Sequence, residues 1–261
     1  MGHSTQISLV IPAFNEAAGI AEAVGEAHGA LESLRYDFEI IVVDDGSSDA
    51  TAMIVGELAA AWPKVRLLPH SRNLGYGAAL RTGFEAAQYD LVAFTDADCQ
   101  FYLDDVADLV ALSRRHPIAV GWRVDRKDPW RRRFLSRGYN LLARTFLDTG
   151  VRDVDCALKV FRRDYLAYLL PETAGFFVNT EMLSRAKRFG WSVAEIGVRH
   201  RPRHSGVSKV SLAEVPKTFA TLVRYWWKHV LWAKHVAAPA IVEPVILPFP
   251  KRTATPERVA A

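Results

Sequence analysis

The 261-residue sequence has few cysteines, no long uncharged apolar run and no glycine-rich phosphate fingerprint. Each scarcity removes a class of protein. Cys99 and Cys156 are the only two cysteines, too few for a disulfide framework or a cysteine-based zinc site and suited to a reducing compartment. No run of about 18 uncharged apolar residues occurs, so no transmembrane helix is expected. The nearest run, 236–250, carries Glu243 and is cut by Pro239, Pro244, Pro248 and Pro250. Met1-Gly-His-Ser-Thr-Gln leads into an apolar strand without the basic and apolar regions of a secretory signal, which predicts a protein that stays in the cytosol. The G-x-G-x-x-G fingerprint is missing after the first strand and there is no P-loop, which disfavours a Rossmann dehydrogenase and a P-loop NTPase. Internal repeats are absent.

Half of the residues are apolar, enough for one large α/β core or a core with a small appendage. The formal net charge of +4 is unevenly spread. Residues 114–163 hold fourteen Lys/Arg against five Asp, a local balance of +9 that leaves −5 for the remainder. The middle of the chain is thus expected to face an anion: a nucleic acid, a phospholipid surface or a phosphorylated substrate.

Strand and helix patterns alternate through the first half, which predicts a mostly parallel sheet with helices on both faces, a Rossmann-like nucleotide-binding α/β fold. Strands are read at 7–12, 38–44, 65–69 and 91–95, and helices at 17–34, 49–61 and 77–88. In the second half the pattern predicts a helix at 130–147, with Trp130, Phe134, Leu141 and Leu142 on its apolar side and Arg133, Arg137 and Arg144 opposite. A strand is read at 156–161, a helix at 179–189 and a strand at 193–200. A closing amphipathic helix at 211–235 has an apolar stripe of Val215, Phe219, Leu222, Val223, Trp226 and Val230. The organisation expected is a catalytic unit over 1–210, an amphipathic, membrane-associated helix with an apolar extension over 211–250, and a disordered tail over 251–261.

Ligands of such sheets bind beyond the carboxyl ends of the strands, and the polar clusters fall there. Asp96-Ala97-Asp98, with Gln100 close behind, follows the fourth strand. Residues i and i+2 of an extended segment share a face, so the two carboxylates converge where a hard divalent cation and phosphate oxygens can meet. The run Ile11-Pro12-Ala13-Phe14-Asn15-Glu16 ends the first strand in a turn able to meet a base or ribose. Asp44-Asp45-Gly46-Ser47-Ser48-Asp49 follows the second, with an acid to accept from a ribose hydroxyl or base N–H. Without a glycine cradle, a diphosphate must be neutralised by metal and basic side chains.

These segments, in order with Asn73-Leu74-Gly75, Gly121-Trp122-Arg123, Phe161-Arg162-Arg163, Glu181 and Ser205-Gly206-Val207-Ser208-Lys209, resemble the family 2 glycosyltransferases, and within them the dolichol/polyprenyl-phosphate mannosyltransferases. The likeness runs over about residues 6–215 and implies a GT-A fold, a nucleotide-sugar donor (GDP-mannose first, UDP-glucose second), Mg²⁺ or Mn²⁺, and inversion at the anomeric carbon. Carried over by position, Pro12, Phe14, Glu16, Asp44 and Asp45 line the nucleoside pocket. Asp96, Asp98 and Gln100 hold the metal, with Ala97 between them. Arg123, Arg203 and Lys209 meet phosphates of donor and acceptor, and Asp96, Asp98, Arg123 and Lys209 form the catalytic set. Arg132, Arg133, Ser136 and Arg137 greet the lipid phosphate on an amphipathic helix. Two departures concern sugar and acceptor identity: Phe101-Tyr102-Leu103-Asp104 replaces the common Pro-Pro-Glu, and Ala157-Leu158-Lys159 replaces Gly-Phe-Arg.

A phosphate monoester is already an anionic nucleophile, so its attack needs positioning and charge neutralisation more than a strong base. A hydroxyl acceptor would need a carboxylate to take its proton, with Asp155 or Glu181 as candidates. The segment 203–209 is read as a loop that closes over the diphosphate. The expected protein is therefore an inverting hexosyltransferase acting on polyprenyl phosphate, peripheral on the cytosolic membrane face, open to a membrane-protein partner and binding no nucleic acid. A GT-A enzyme using a UDP-sugar and a hydroxyl acceptor, and a nucleic-acid-binding module using the +9 stretch, are the alternatives; salt-dependent oligonucleotide binding separates the last.

Overall fold

Short apolar runs form the strands, and the amphipathic runs between them form helices. The structure is a computed structural model that describes residues 5–125, 130–202 and 214–231. In chain order its elements are β1 (Gln6–Ala13), α1 (Ile20–Ser33), β2 (Asp37–Asp44), α2 (Thr51–Ala61), β3 (Val65–Pro69), α3 (Tyr76–Ala86), β4 (Leu91–Phe94), α4 (Val106–Ser113), β5 (Ile118–Val124), α5 (Trp130–Leu147), β6 (Lys159–Arg162), the short α6 (Arg163–Leu166), α7 (Val178–Arg188), β7 (Val193–Arg199) and α8 (Glu214–Trp226), which runs on as a π-helix over Trp227–Leu231.

The strands form one seven-stranded sheet in the order β3-β2-β1-β4-β6-β5-β7. β1 pairs in parallel with β2 and β4, β2 with β3, and β5 with β7. β6 alone runs against its neighbours β4 and β5. The mostly parallel α/β sheet expected from the sequence is what forms. Ile7, Leu9, Val10 and Ile11 of β1 and Ile40, Ile41, Val42 and Val43 of β2 have no solvent exposure, as strands covered by helices on both faces require. Each such side chain contributes about 1.5–3 kcal/mol on burial. Helix α3 lies close on this sheet because residue 83 is glycine: a Cβ there would stand 2.3 Å from Val10 Cγ1.

At the amino ends of the strands, away from the site, Glu39 is buried and satisfied. It accepts from Ser8 Oγ at 2.7 Å, from the Gln88 N–H at 2.7 Å and from Arg66 Nη1 at 2.6 Å. A buried carboxylate persists only when so paired.

Several sequence expectations are corrected. The helix read from residue 17 starts at Ile20, because the Glu16 carbonyl first accepts from the Gly19 and Ile20 N–H groups in a turn. The strand read from 156 starts at Lys159, because side chains hold the residues before it in an irregular loop. Helix α5 spans the expected residues, with Arg137 and Arg144 exposed and Leu142 half-buried as expected, but its buried stripe is shifted. Its buried positions include Asn140, Ala143 and Leu147, while Leu141 is 59% exposed. On α8 the stripe is split: Leu222 is buried with Tyr225 against Leu147 and Phe177, whereas Phe219, Val223 and Val230 are exposed with Trp227 and Leu231. The edge of Trp226 against Phe146, centroids 5.6 Å apart, joins the α5 and α8 surfaces. No described helix is long and apolar enough to cross a membrane. The expected closing loop 203–209 and the expected tail lie outside the described residues.

Candidate active site

The carboxyl ends of β1, β2 and β4 bring the acidic segments together. Asn15, in a left-handed conformation at φ 50°, stitches two of them. Its N–H donates to Ser47 Oγ and its Oδ1 accepts from the Ser48 N–H, both at 2.8 Å. The Glu16 N–H donates to Thr51 Oγ1 at 2.9 Å and the Ala17 N–H to Asp49 Oδ2 at 3.1 Å. Pro12 is buried within β1, and Phe14 and Glu16 are half-buried at the turn.

Asp44 and Asp45 are both buried. Asp44 accepts from the Ser47 N–H at 3.3 Å and from the Ser47 hydroxyl. Asp45 accepts from the Leu74 and Gly75 N–H groups, each at 2.9 Å, and meets His70 Nδ1 at 2.8 Å. His70 Nε2 in turn meets Thr82 Oγ1 at 2.9 Å. Asp45 thus fixes the start of α3. Gly75 enters that helix at φ 100°, where a Cβ would lie 2.5 Å from the Ala174 carbonyl oxygen, so only glycine suits the position. The Gly77 N–H donates to the same carbonyl at 2.8 Å.

This clamp aims Tyr76. Its ring stacks on Phe176, centroids 5.6 Å apart, and its hydroxyl donates to Asp96 Oδ1 at 2.9 Å. Burial first, then Asp96, Asp98 and Asp155, push the phenol pKa well above its ordinary value, so Tyr76 stays a donor. That one hydroxyl feels Asp96, Asp98 and Asp155, so these carboxylates share a neighbourhood. Among the described residues no group of three or more His, Cys, Asp or Glu is arranged to hold a metal alone. Two aspartates and an amide oxygen form an all-oxygen donor set, which fits a hard Mg²⁺ or Mn²⁺ that takes its other ligands from phosphate and water.

The segment after Asp98 is held from behind. The Gln100 N–H donates to Asp98 Oδ1 at 3.3 Å, and Gln100 and Arg201 are joined by the Arg201 N–H to the Gln100 carbonyl at 2.9 Å. Phe101 bridges to His200. The Arg201 guanidinium reaches Glu26 and the Cys99 carbonyl, and Tyr102 has Arg199 and Arg201 at 4.8 Å and 5.1 Å from its ring. The residues that replace Pro-Pro-Glu therefore tie the Asp96 segment to the chain leaving β7.

On the other side of β4 lies a buried polar hub. Arg123, from β5, binds Asp153 bidentately through Nε and Nη2, both at 2.7 Å, with the two side chains only 7% and 8% exposed. Burial alone would lower the Arg123 pKa, but the hydrogen bonds and charge of Asp153 raise it. Asn140, from α5, accepts the Val154 N–H at 2.8 Å and donates to the Ser136 carbonyl at 2.9 Å. Lys159, 1% exposed, donates to the carbonyls of Val154 and Cys156 and to Asn179 Oδ1. Its pKa is lowered by burial, against the upward pull of Cys156, Asp155, Asp153 and Asp96. Glu181 is 1% exposed and accepts from the Glu172 N–H, the Thr173 N–H and the Thr173 hydroxyl while pairing with Arg185 at 2.8 Å. It holds the loop whose Ala174 carbonyl clamps α3.

Of the residues singled out in the sequence, Pro12, Phe14, Glu16, Asp44, Asp45, Asp96, Ala97, Asp98 and Gln100 gather along one edge of the sheet. Arg123 lies on β5 and is engaged by Asp153. Ser136 and Arg137 lie on α5, half-buried and exposed. Arg132 and Arg133 belong to the same helix, and their side chains, like Arg203 and Lys209, lie outside the described residues. Sequence reasoning missed Tyr76, Asn140 and His70 as supports of the site. For Tyr76 a signal existed in its flanking glycines; for the other two, partners distant in the chain left none.

The sequence profile described as "Glycosyl transferase family 2" matches residues 8–170. Glycosyltransferase AglD of Haloferax volcanii is 36% identical over 234 residues, covering 85% of this chain but 37% of the relative. The polyprenol monophosphomannose synthase of Mycolicibacterium smegmatis is 32% identical over 221 residues, covering 79% of this chain and 82% of the relative. The chain thus spans little more than a third of one curated relative and most of the other. Glucosyl-3-phosphoglycerate synthase from Mycobacterium tuberculosis, solved with Mn²⁺, UDP-glucose and phosphoglyceric acid, superposes with a TM-score of 0.67 at 24% identity, over 85% of this chain and 80% of that one. At that identity the likeness speaks for the fold alone, which is GT-A.

Proposed function

We propose that this chain, which belongs to glycosyl transferase family 2, moves a hexose with inversion from a nucleotide sugar to a polyprenyl phosphate. The observation that carries this reading is the 32% identity, over 79% of this chain and 82% of the relative, with a polyprenol monophosphomannose synthase. A phosphate monoester needs no carboxylate to take a proton, and Glu181, one of the two candidates for that task, is buried and already satisfied by four donors.

In this reading Pro12, Phe14 and Glu16 hold the nucleoside, and Asp44 and Asp45, buried and bonded within the protein, shape its pocket. Mg²⁺ or Mn²⁺ held by Asp96, Asp98 and Gln100 supplies, when bound, Lewis acidity for the departing diphosphate. Tyr76 keeps Asp96 in place. Arg123, fixed by Asp153, and Arg203 and Lys209 add positive charge where two anions must approach each other. A lipid phosphate oxygen attacks the anomeric carbon as the bond to the diphosphate breaks, and the electron pair leaves with the nucleotide. Arg132, Arg133, Ser136 and Arg137 orient the attacking phosphate from α5.

The exposed apolar positions of α5 and α8, with Arg137, Arg144, Arg224 and Lys228 nearby, support peripheral contact with the cytosolic face of a membrane. GDP-mannose is the first donor to try and UDP-glucose the second. The test is purified protein with Mn²⁺ or Mg²⁺, a panel of nucleotide sugars and polyprenyl phosphate in detergent. Lipid-linked sugar supports the reading; transfer only to hydroxyl acceptors overturns it.

A further inference from the structure

The buried hub around residues 153–156 is costly. A lysine with 1% exposure loses most of its hydration, and an arginine and an aspartate are desolvated beside it. All three, with Asn140, act on one short stretch of backbone. Asp153 is held by Arg123, the Val154 N–H by Asn140, and the Val154 and Cys156 carbonyls by Lys159. Between these fixed points stands Asp155, half-buried.

Strand register says where Asp155 stands. Phe94 pairs with Lys159 across β4 and β6, so the loop leading into β6 lies beside the end of β4, where Asp96 and Asp98 begin. Asp155 acts electrostatically on Tyr76 together with those two aspartates, and also on Arg123 and Tyr139. In the sheet the nucleoside-side acids follow β1 and β2, the diphosphate-side aspartates follow β4, and Asp155 precedes β6 on the far side. A donor laid with its nucleoside over β1 and β2 and its diphosphate over β4 puts its hexose at Asp155. The chemistry agrees: a carboxylate is acceptor-only and repels phosphate, but it receives hydrogen bonds from hydroxyls.

We infer that Asp155 is a sugar-recognition residue, accepting hydrogen bonds from hydroxyls of the transferring hexose, with Asn140 and Lys159 as positioning residues that hold it there. The inference rests on the nucleotide-sugar reading above but not on the acceptor. The experiment uses the full chain with the donor selected by the panel, and reads donor hydrolysis to water beside transfer to polyprenyl phosphate. Asp155→Ala should lower kcat/KM for that donor about thirtyfold in both assays, and Asp155→Asn less. Nucleoside diphosphate affinity with Mn²⁺, by calorimetry, should stay within about twofold, which also reports that the variant is folded. The penalty should vanish with the deoxy donor that lacks the recognised hydroxyl. Weakened nucleoside diphosphate or Mn²⁺ binding, a changed KM for lipid phosphate alone, or an unchanged kcat/KM would each overturn the assignment. Hydrolysis that responds to Asp155→Ala while wild type never glycosylates polyprenyl phosphate would overturn only the acceptor reading.

Discussion

The Tyr76 hydroxyl donates to Asp96 Oδ1 at 2.9 Å, so a residue at the entry of α3 steers a carboxylate at the end of β4. Removing that donor leaves Asp96 without its guide but leaves the ring stacked on Phe176. Tyr76→Phe should therefore fold normally and lose about tenfold in kcat, with a weaker apparent Mn²⁺ affinity. A metal titration of activity decides it; an unchanged titration curve would mean that Asp96 needs no guide.

Asp98→Ala should abolish transfer with an intact fold, a loss of at least about a hundredfold, because a cation held by few protein ligands loses charge and geometry together. Circular dichroism checks the fold and product formation checks the role. Full wild-type turnover in excess EDTA would remove the metal from the reading.

Arg137→Gln combined with Trp227→Ser should weaken sedimentation with anionic vesicles. Each basic residue near an anionic surface is worth about 1 kcal/mol, or about fivefold. Donor affinity should be unaffected. Loss of nucleotide-sugar binding with vesicle binding intact would reverse the two sides of the molecule.

Cys156 predicts an alkaline limit on stability. Burial, then the charge of Asp153, raises its thiol from 9.0 to about 12. Between these values the folded chain holds a proton that the unfolded chain has lost, so stability is full below pH 9 and falls as pH rises toward 12, by up to about 1.4 kcal/mol per pH unit. Urea midpoints measured from pH 8 to 10.5 should decline, and Cys156→Ala should lessen the decline, the rest following Cys99, whose thiol burial also pushes up to about 12. Parallel curves for the two proteins would contradict the assignment.

Glu39 is a stability residue remote from the chemistry. Glu39→Ala removes the acceptor for Ser8, for the Gln88 N–H and for Arg66, which keeps the Ala86 carbonyl and partial contact with water, and should cost about 1–3 kcal/mol. The thermal midpoint should fall while kcat of the folded fraction is retained.

Much of the sheet was legible because its central strands are short apolar runs whose side chains face cover. Val65–Pro69 and Trp130–Leu147 have the boundaries the pattern suggests. The gathering of Asp44, Asp96 and their neighbours at one edge was legible too, since strand ends in a parallel sheet point one way. The buried faces of α5 and α8 were legible only in part. Spacing alone put Leu141 inward, yet Asn140 goes in because Val154 and Ser136 satisfy its amide. The buried pairing of Arg123 with Asp153 and the burial of Lys159 were not legible either: Arg123 and Asp153 lie thirty residues apart, and only the fold shows Lys159 turned in toward the Val154 and Cys156 carbonyls and Asn179.

The position of β6 makes the sheet severable at one point. β4 and β5 share no pairing, and each meets only β6 between them. Deleting the four residues Lys159–Arg162 would not yield a shorter sheet; it would part β3-β2-β1-β4 from β5-β7. Tolerance to insertion should follow the same seam, high in the connections within either part and lowest around β6, the one strand among the described residues that joins the two parts of the sheet.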